Sequence, residues 1–253
     1  MQHWFETPPG RYLLDWEQAR LDEAVADIFG YHALQLGLPV LDALRASRMS
    51  HRWLATEQAL PQAALATDFA ALPFPAASLD LVVLPHTLET HPDPHATLRE
   101  VERVLLPEGR VVICGLNPAS LWGLRQRRAH LYRRLGWGEP YLPQEVDFIG
   151  YRRLRDWLRL LGFEVEDGAF GCYRPAVGSE KWLNRFDWMD RLGARWWPIL
   201  GAAYFVVAVK RVHGMRLLEP AWKTVPSRAT ASAPVARREG PQNTSFDMNR
   251  TSD

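Results

Sequence analysis

Residues 66–118 read ATDFAALPFPAASLDLVVLPHTLETHPDPHATLREVERVLLPEGRVVICGLNP, and their order decides the fold. Leu79 to Leu84 (LDLVVL) is an apolar run of strand length, which suits a parallel strand covered on both faces. Ala96 to Leu106 sets Leu98, Val101, Val104 and Leu105 on one helical face, with Arg99, Glu100 and Glu102 outside. Pro107-Glu108-Gly109 stops that helix, and Arg110 to Cys114 (RVVIC) is the next buried strand. Ahead of them, Ala66-Thr67-Asp68-Phe69 reads as a short strand edge and Leu72-Pro73-Phe74 as a turn. Strands alternating with helices at this spacing predict an α/β fold, a Rossmann-like doubly wound, mostly parallel sheet with helices on both faces.

Working outward, Asp15 to Phe29 carries Leu21, Ala24, Val25 and Ile28 at helical spacing. His32 to Leu36 is a strand that stops at Gly37-Leu38-Pro39, Val40 to Ala46 returns to a helical pattern, and His51 to Thr56 is a strand ending at Glu57. Downstream, Tyr151 to Gly162 is a helix with Leu154, Trp157, Leu158 and Leu161 on one face and Gly162 as its C-cap. Phe163 to Val165 begins a strand and Ala202 to Val209 is another. Between them, Ser179 to Gly201 is an extra Trp-rich unit, with Trp182, Phe186, Met189 and Leu192 sharing a helical side and Trp196-Trp197-Pro198 following. Core packing against the sheet, a lid over an acceptor pocket and an interfacial amphipathic helix are the readings open for it. After about Pro220 the composition shifts to Ser, Thr, Pro, Ala and Arg, which predicts a disordered tail over 220–253.

Composition narrows the function classes. The net charge of +1 across 253 residues supplies no global attraction to nucleic acid or to an anionic membrane. The two cysteines, Cys114 and Cys172, build neither a disulfide framework nor a metal site, which fits a reducing cytoplasm. No H-E-x-x-H set and no G-x-S-x-G elbow occurs, so neither a metal site nor a serine hydrolase is expected. The N-terminus lacks a basic segment followed by an apolar one, and the apolar run Trp196 to Val209 is broken by Pro198 and Gly201, so neither a secretory signal nor a transmembrane segment is expected. The basic run Arg125 to Arg134 reads first as a solvated helix face and second as a phosphate-binding face, so nucleic acid is an unfavoured partner.

The segment from Ala66 to Pro118 resembles the class I S-adenosylmethionine-dependent methyltransferases of the small-molecule kind. It carries an acidic residue (Asp68), Leu72-Pro73-Phe74, the strand LDLVVL, the turn Leu88-Glu89-Thr90-His91, and EVERVLLPEGRVVI in the family's order. The continuation GLNPASLWG, from Gly115 to Gly123, is similar to a proteobacterial branch of that family, and a weaker resemblance covers roughly residues 20–210. It implies a methyltransferase domain over residues 1–219 with an insertion at about 175–200. S-adenosyl-L-methionine is the implied cofactor.

In a doubly wound sheet the ligand lies beyond the carboxyl ends of the strands, at the point where strand order reverses. Asp68 and Phe69 would there address adenine and Glu57 the ribose hydroxyls, although an acid after a strand equally serves as a solvated helix start. Pro85 and His86 would lie beside the methionine and the sulfonium. The family's glycine-rich loop is reduced here to Ala33-Leu34-Gln35-Leu36-Gly37-Leu38-Pro39: Gln35 replaces the acid and Gly37 is the one glycine retained. The cofactor set expected is thus Gln35, Gly37, Glu57, Asp68, Phe69, Pro85 and His86. His86 is the first choice as base, with His91 and His95 read as polar loop histidines. Three functions follow: a cytoplasmic methyltransferase for a small or hydrophobic acceptor, a non-catalytic binding module with a decayed loop, and an RNA methyltransferase using Arg127, Arg128, Arg133 and Arg134. The sequence leaves the oligomeric state open.

Overall fold

The computed structural model describes residues 2–134, 141–142 and 147–211, with the backbone alone at residues 2 and 130–134. The tail expected to be disordered, 220–253, lies outside the described residues.

The chain opens with α1 (Gln2–Phe5) and α2 (Pro8–Ala26). Thr7 caps α2, accepting a hydrogen bond from the Gly10 amide, and two prolines fill the first helical positions, where no amide partner is missed. The helix therefore begins before the expected Asp15. Strands β1 (His32–Leu36), β2 (His51–Thr56), β3 (Leu65–Ala66) and β4 (Leu79–Pro85) follow, then α3 (Thr87–Thr90), α4 (Pro94–Val104), β5 (Leu105–Leu116) and α5 (Leu121–Arg134). Next come α6 (Tyr151–Leu160), β6 (Phe163–Gly171), α7 (Glu180–Arg185), α8 (Trp188–Trp196), a 3-10 turn (Pro198–Leu200) and β7 (Ala203–Lys210).

The strands form a seven-stranded sheet in the order β3-β2-β1-β4-β5-β7-β6, with β7 antiparallel to both neighbours and the other pairings parallel. This is the mostly parallel doubly wound sheet that the alternation predicts. The expected stop at Pro107-Glu108-Gly109 appears as a register shift inside β5: Leu79 pairs Leu105, Leu81 pairs Arg110, and Glu108 takes a left-handed φ of 64°. One face of the sheet is covered by Leu98, Val101 and Val104 of α4 with Leu154 and Leu158 of α6; the other is covered by Leu21 and Val25 of α2 with Leu41, Leu44 and Met49. Gly162 caps α6 at φ 80°, as expected.

The helix expected over Val40 to Ala46 does not form. Leu41, Ala43 and Leu44 are buried as the pattern requires, but the backbone closes in three-residue steps, Leu41 to Leu38, Arg45 to Asp42 and Ser47 to Leu44. Among the described residues no helix is long and apolar enough to cross a membrane.

Candidate functional site at the carboxyl ends of the central strands

From β1 the chain moves outward through β2 and β3, then returns to β4 and moves the other way to β5, so strand order reverses between β1 and β4. In a doubly wound sheet the ligand crevice belongs beyond the carboxyl ends of those two strands. Gly37 leaves β1 there with φ 77°, a conformation that suits glycine, and a side chain on it would meet the Phe69 ring and the Thr87 hydroxyl. Thr87 donates to the carbonyl of Leu36, tying the start of α3 across the crevice to the end of β1.

On the β2–β3 side, two carboxylates converge. Nε2 of His91 lies 3.5 Å from Glu57 and 3.4 Å from Asp68. His91 itself is enclosed, its side chain 6% exposed, while Glu57 and Asp68 stand more than half exposed. The buried Phe69 ring packs at 6.0 Å from the imidazole. His91 is therefore not the solvated loop histidine expected from sequence. It stands between the two acids assigned to the cofactor. His95 turns away, its ring 3.9 Å from that of Trp157.

On the β4–β5 side the crevice is filled. His86, in a left-handed conformation at φ 55°, is fully buried between two buried acids: Nε2 is 2.8 Å from Glu17 of α2, and Nδ1 is 2.8 Å from Glu89 of α3. Glu89 also accepts from the Leu116 amide at the end of β5. The Glu17 oxygens receive no aligned hydrogen bond, so Glu17 holds His86 by charge. Burial alone would lower the imidazole pKa, but Glu17 and Glu89 together push it up to about 10. Burial holds the Glu89 carboxyl above the usual range, an effect His86 partly offsets. Enclosed with a carboxylate on each side, His86 presents neither ring nitrogen to the outside, unlike the base placed there from the sequence. Phe5 packs on it at 5.8 Å, and Leu13 of α2 joins Leu116 and Trp122 in the same cluster.

Gln35 is also committed internally. Its amide nitrogen donates to the carbonyls of Gly37, Leu38 and Leu41, and its oxygen accepts from the Ala43 amide. It shapes the loop and has no donor left for a ligand, contrary to the sequence expectation. Pro85 ends β4 where expected.

Glu17 and Glu89 were missed by sequence reasoning. The signal for Glu17 is present: it interrupts the stripe Leu13, Leu21, Val25 at helical spacing, an acid in the middle of an apolar face. Glu89 gives no comparable signal. Of the basic run, Arg125 lies over the Tyr141 ring at 4.6 Å and donates to the Ala176 carbonyl, Arg127 and Arg128 are exposed, and the side chains of Arg133 and Arg134 lie outside the described residues.

Residues 40–113 match the family described as a methyltransferase domain. An uncharacterised protein of Escherichia coli, YafS, is 35% identical over 163 residues, a match spanning 64% of this chain and 65% of that protein. A SAM-dependent methyltransferase from Thermotoga maritima superposes with a TM-score of 0.52 at 14% identity, covering 83% of this chain and 94% of that one. One from Archaeoglobus fulgidus gives 0.51 at 18% identity, covering 78% and 94%. Sheet order and matched segment agree, and both support the class I S-adenosylmethionine-dependent methyltransferase family for this chain.

Proposed function

We propose that this protein transfers a methyl group from S-adenosylmethionine to a small or hydrophobic acceptor, with the adenosine held on the β2–β3 side of the crevice. The observation that carries this reading is the convergence of Glu57 and Asp68 on one nitrogen beside Phe69 and Gly37. Two half-exposed carboxylates so placed fit ribose hydroxyls and an adenine amino group, and the Phe69 ring supplies an apolar wall. The His91 imidazole must turn aside to admit them. At the methionine end Gln35 is committed to its loop, the Gly37 amide donates to the Ala55 carbonyl, and the Gly37 and Leu38 carbonyls accept from Gln35.

When bound, the cofactor supplies the activated methyl group. The chain's part is to hold the acceptor in line and exclude water. His86 is enclosed between Glu17 and Glu89, so the acceptor's nucleophile needs to be free of its proton without help from His86. Incubating the protein with labelled S-adenosylmethionine and a cell extract should move label into the small-molecule or organic-soluble fraction. The Asp68→Ala protein should transfer at least about tenfold less, as expected for a lost charge-assisted contact. Label appearing in RNA instead would contradict the acceptor class.

A non-catalytic reading is favoured by one observation: α1 and α2 fill the β4–β5 half of the crevice with Phe5, Leu13 and the Glu17–His86 contact. On that reading no label moves into any fraction.

A further inference from the structure

The segment Glu180 to Leu200 carries a surface that the sheet does not use. Its inner side is anchored: Leu183 is buried, Gly193 lies so close to the Tyr173 ring that any side chain there would collide with it, and Asn117 at the end of β5 donates to the carbonyls of Ile199 and Gly201. Its outer side is apolar. Trp182, Trp188, Trp196 and Trp197 are each about half exposed or more, with Leu192, Ile199 and Leu200 beside them. The helical side expected to pack inward divides here, because the helix breaks at Phe186 and Asp187; Phe186 and Met189 are half-buried, the Phe186 ring stacked on that of Trp182, while Trp182 and Leu192 are exposed.

On α8, Trp188, Leu192 and Trp196 follow at four-residue steps and form one stripe, and Arg191 and Arg195 form the neighbouring row. The four tryptophans alone leave roughly 500 Å² of ring surface open, the size of the largest apolar patch on a typical monomer, and a patch of that size often serves a function. The charge left uncompensated around the stripe is positive. Asp187 and Asp190 are taken by Arg174, whereas Lys181, Arg185, Arg191 and Arg195 have no carboxylate partner among the described residues. Arg185 rests on the Trp182 ring at 5.9 Å, and Glu180 is the remaining acid of the segment.

We propose that this face docks the protein on an anionic lipid surface. Tryptophan is the residue that settles at the boundary between headgroups and acyl chains, and a flanking row of unpaired arginines complements anionic headgroups. A second copy of the chain fits less well, because a two-fold contact on the stripe would bring the two arginine rows together. The segment is tied through Asn117 to the end of β5, so docking would set the crevice near the lipid surface. The inference stands whether or not methyl transfer occurs.

Vesicle flotation of the full chain tests it. The protein should float with vesicles of phosphatidylcholine mixed with phosphatidylglycerol, and much less with phosphatidylcholine alone. Each arginine near an anionic surface is worth about fivefold in partitioning, so R191E/R195E should weaken binding by about 25-fold or more. W196S/W197S should weaken it on both vesicle types. R152E/R159E, the same charge change on exposed positions of α6, should leave flotation unchanged. Unaltered thermal unfolding of each variant shows that the fold is intact. The proposal is overturned by absence of flotation with either vesicle, by equal loss in the α6 control, or by ultracentrifugation showing a dimer that W196S/W197S converts to monomer.

Discussion

The protein with leucine in place of His86 should unfold about 10 °C below the natural one. His86 is the cation between two acids that are themselves buried: Glu17 lies on one nitrogen and Glu89 on the other, each at 2.8 Å. Removing it leaves two carboxylates in a dry interior, of which Glu89 keeps the Leu116 amide and Glu17 keeps no aligned donor. Breaking a buried ion pair from one side costs about 3–5 kcal/mol, and a domain of this size loses roughly 2–4 °C per kcal/mol. Replacing Glu17 by leucine as well should restore part of the loss, since the charge left without a partner is then gone. Thermal unfolding of the single and double variants checks both statements.

The same cluster sets a pH dependence whose sign follows from the direction of the shift. The folded His86 holds its proton up to about 10, against an ordinary value of 6.5. Below the ordinary value both states carry the proton and the contribution is complete. Between the two values only the folded state carries it, so stability falls as pH rises through that window and the contribution is lost above the folded value. Glu89, also shifted upward, acts with the same sign at lower pH. Melting temperatures between neutral pH and pH 10 should fall more steeply for the natural protein than for the His86→Leu, Glu17→Leu protein. Parallel slopes would contradict the cluster's role.

The second large effect is expected at Gln35. Leucine there keeps the volume but strands the Ala43 amide and removes the donor shared by the carbonyls of Gly37, Leu38 and Leu41. A cost of about 2–4 kcal/mol is expected, because unsatisfied buried backbone groups cost about 1–3 kcal/mol each. Glutamate, the type of residue found at this place in the family pattern, should do no better: it keeps the acceptor for Ala43 but turns a carboxylate toward three carbonyl oxygens. Urea unfolding should show both midpoints lowered with unchanged slope. A Gln35→Glu protein as stable as the natural one would mean that the loop rearranges freely around this position.

The strands were legible because burial on both faces leaves an uninterrupted apolar run, as in LDLVVL, and because Gly162 marks a helix end that only a left-handed residue completes. The helix expected over Val40 to Ala46 failed for a reason no periodicity carries. Its apolar spacing is real and its residues are buried, but Gln35 captures the Leu41 carbonyl and the Ala43 amide. On the β2–β3 side, Glu57, Asp68 and Phe69 were brought together as their positions after short strands suggested. His91 between them was not anticipated, since a loop histidine carries no sign of where it turns. His86 lies at the predicted end of β4 but faces inward, because the acid that holds it sits in a helix far ahead in sequence. Trp-rich composition alone did not distinguish packing from exposure in the Ser179 to Gly201 segment; the break at Asp187 decides it.

The most direct test is calorimetric titration of the natural protein and of Asp68→Ala with S-adenosylhomocysteine and S-adenosylmethionine. Saturable binding of both ligands to the natural protein is expected, with affinity at least about tenfold weaker in the variant, as for the loss of a charge-assisted contact. No heat and no thermal shift at high ligand concentration would contradict it, and would leave the fold with the crevice that α1 and α2 already fill.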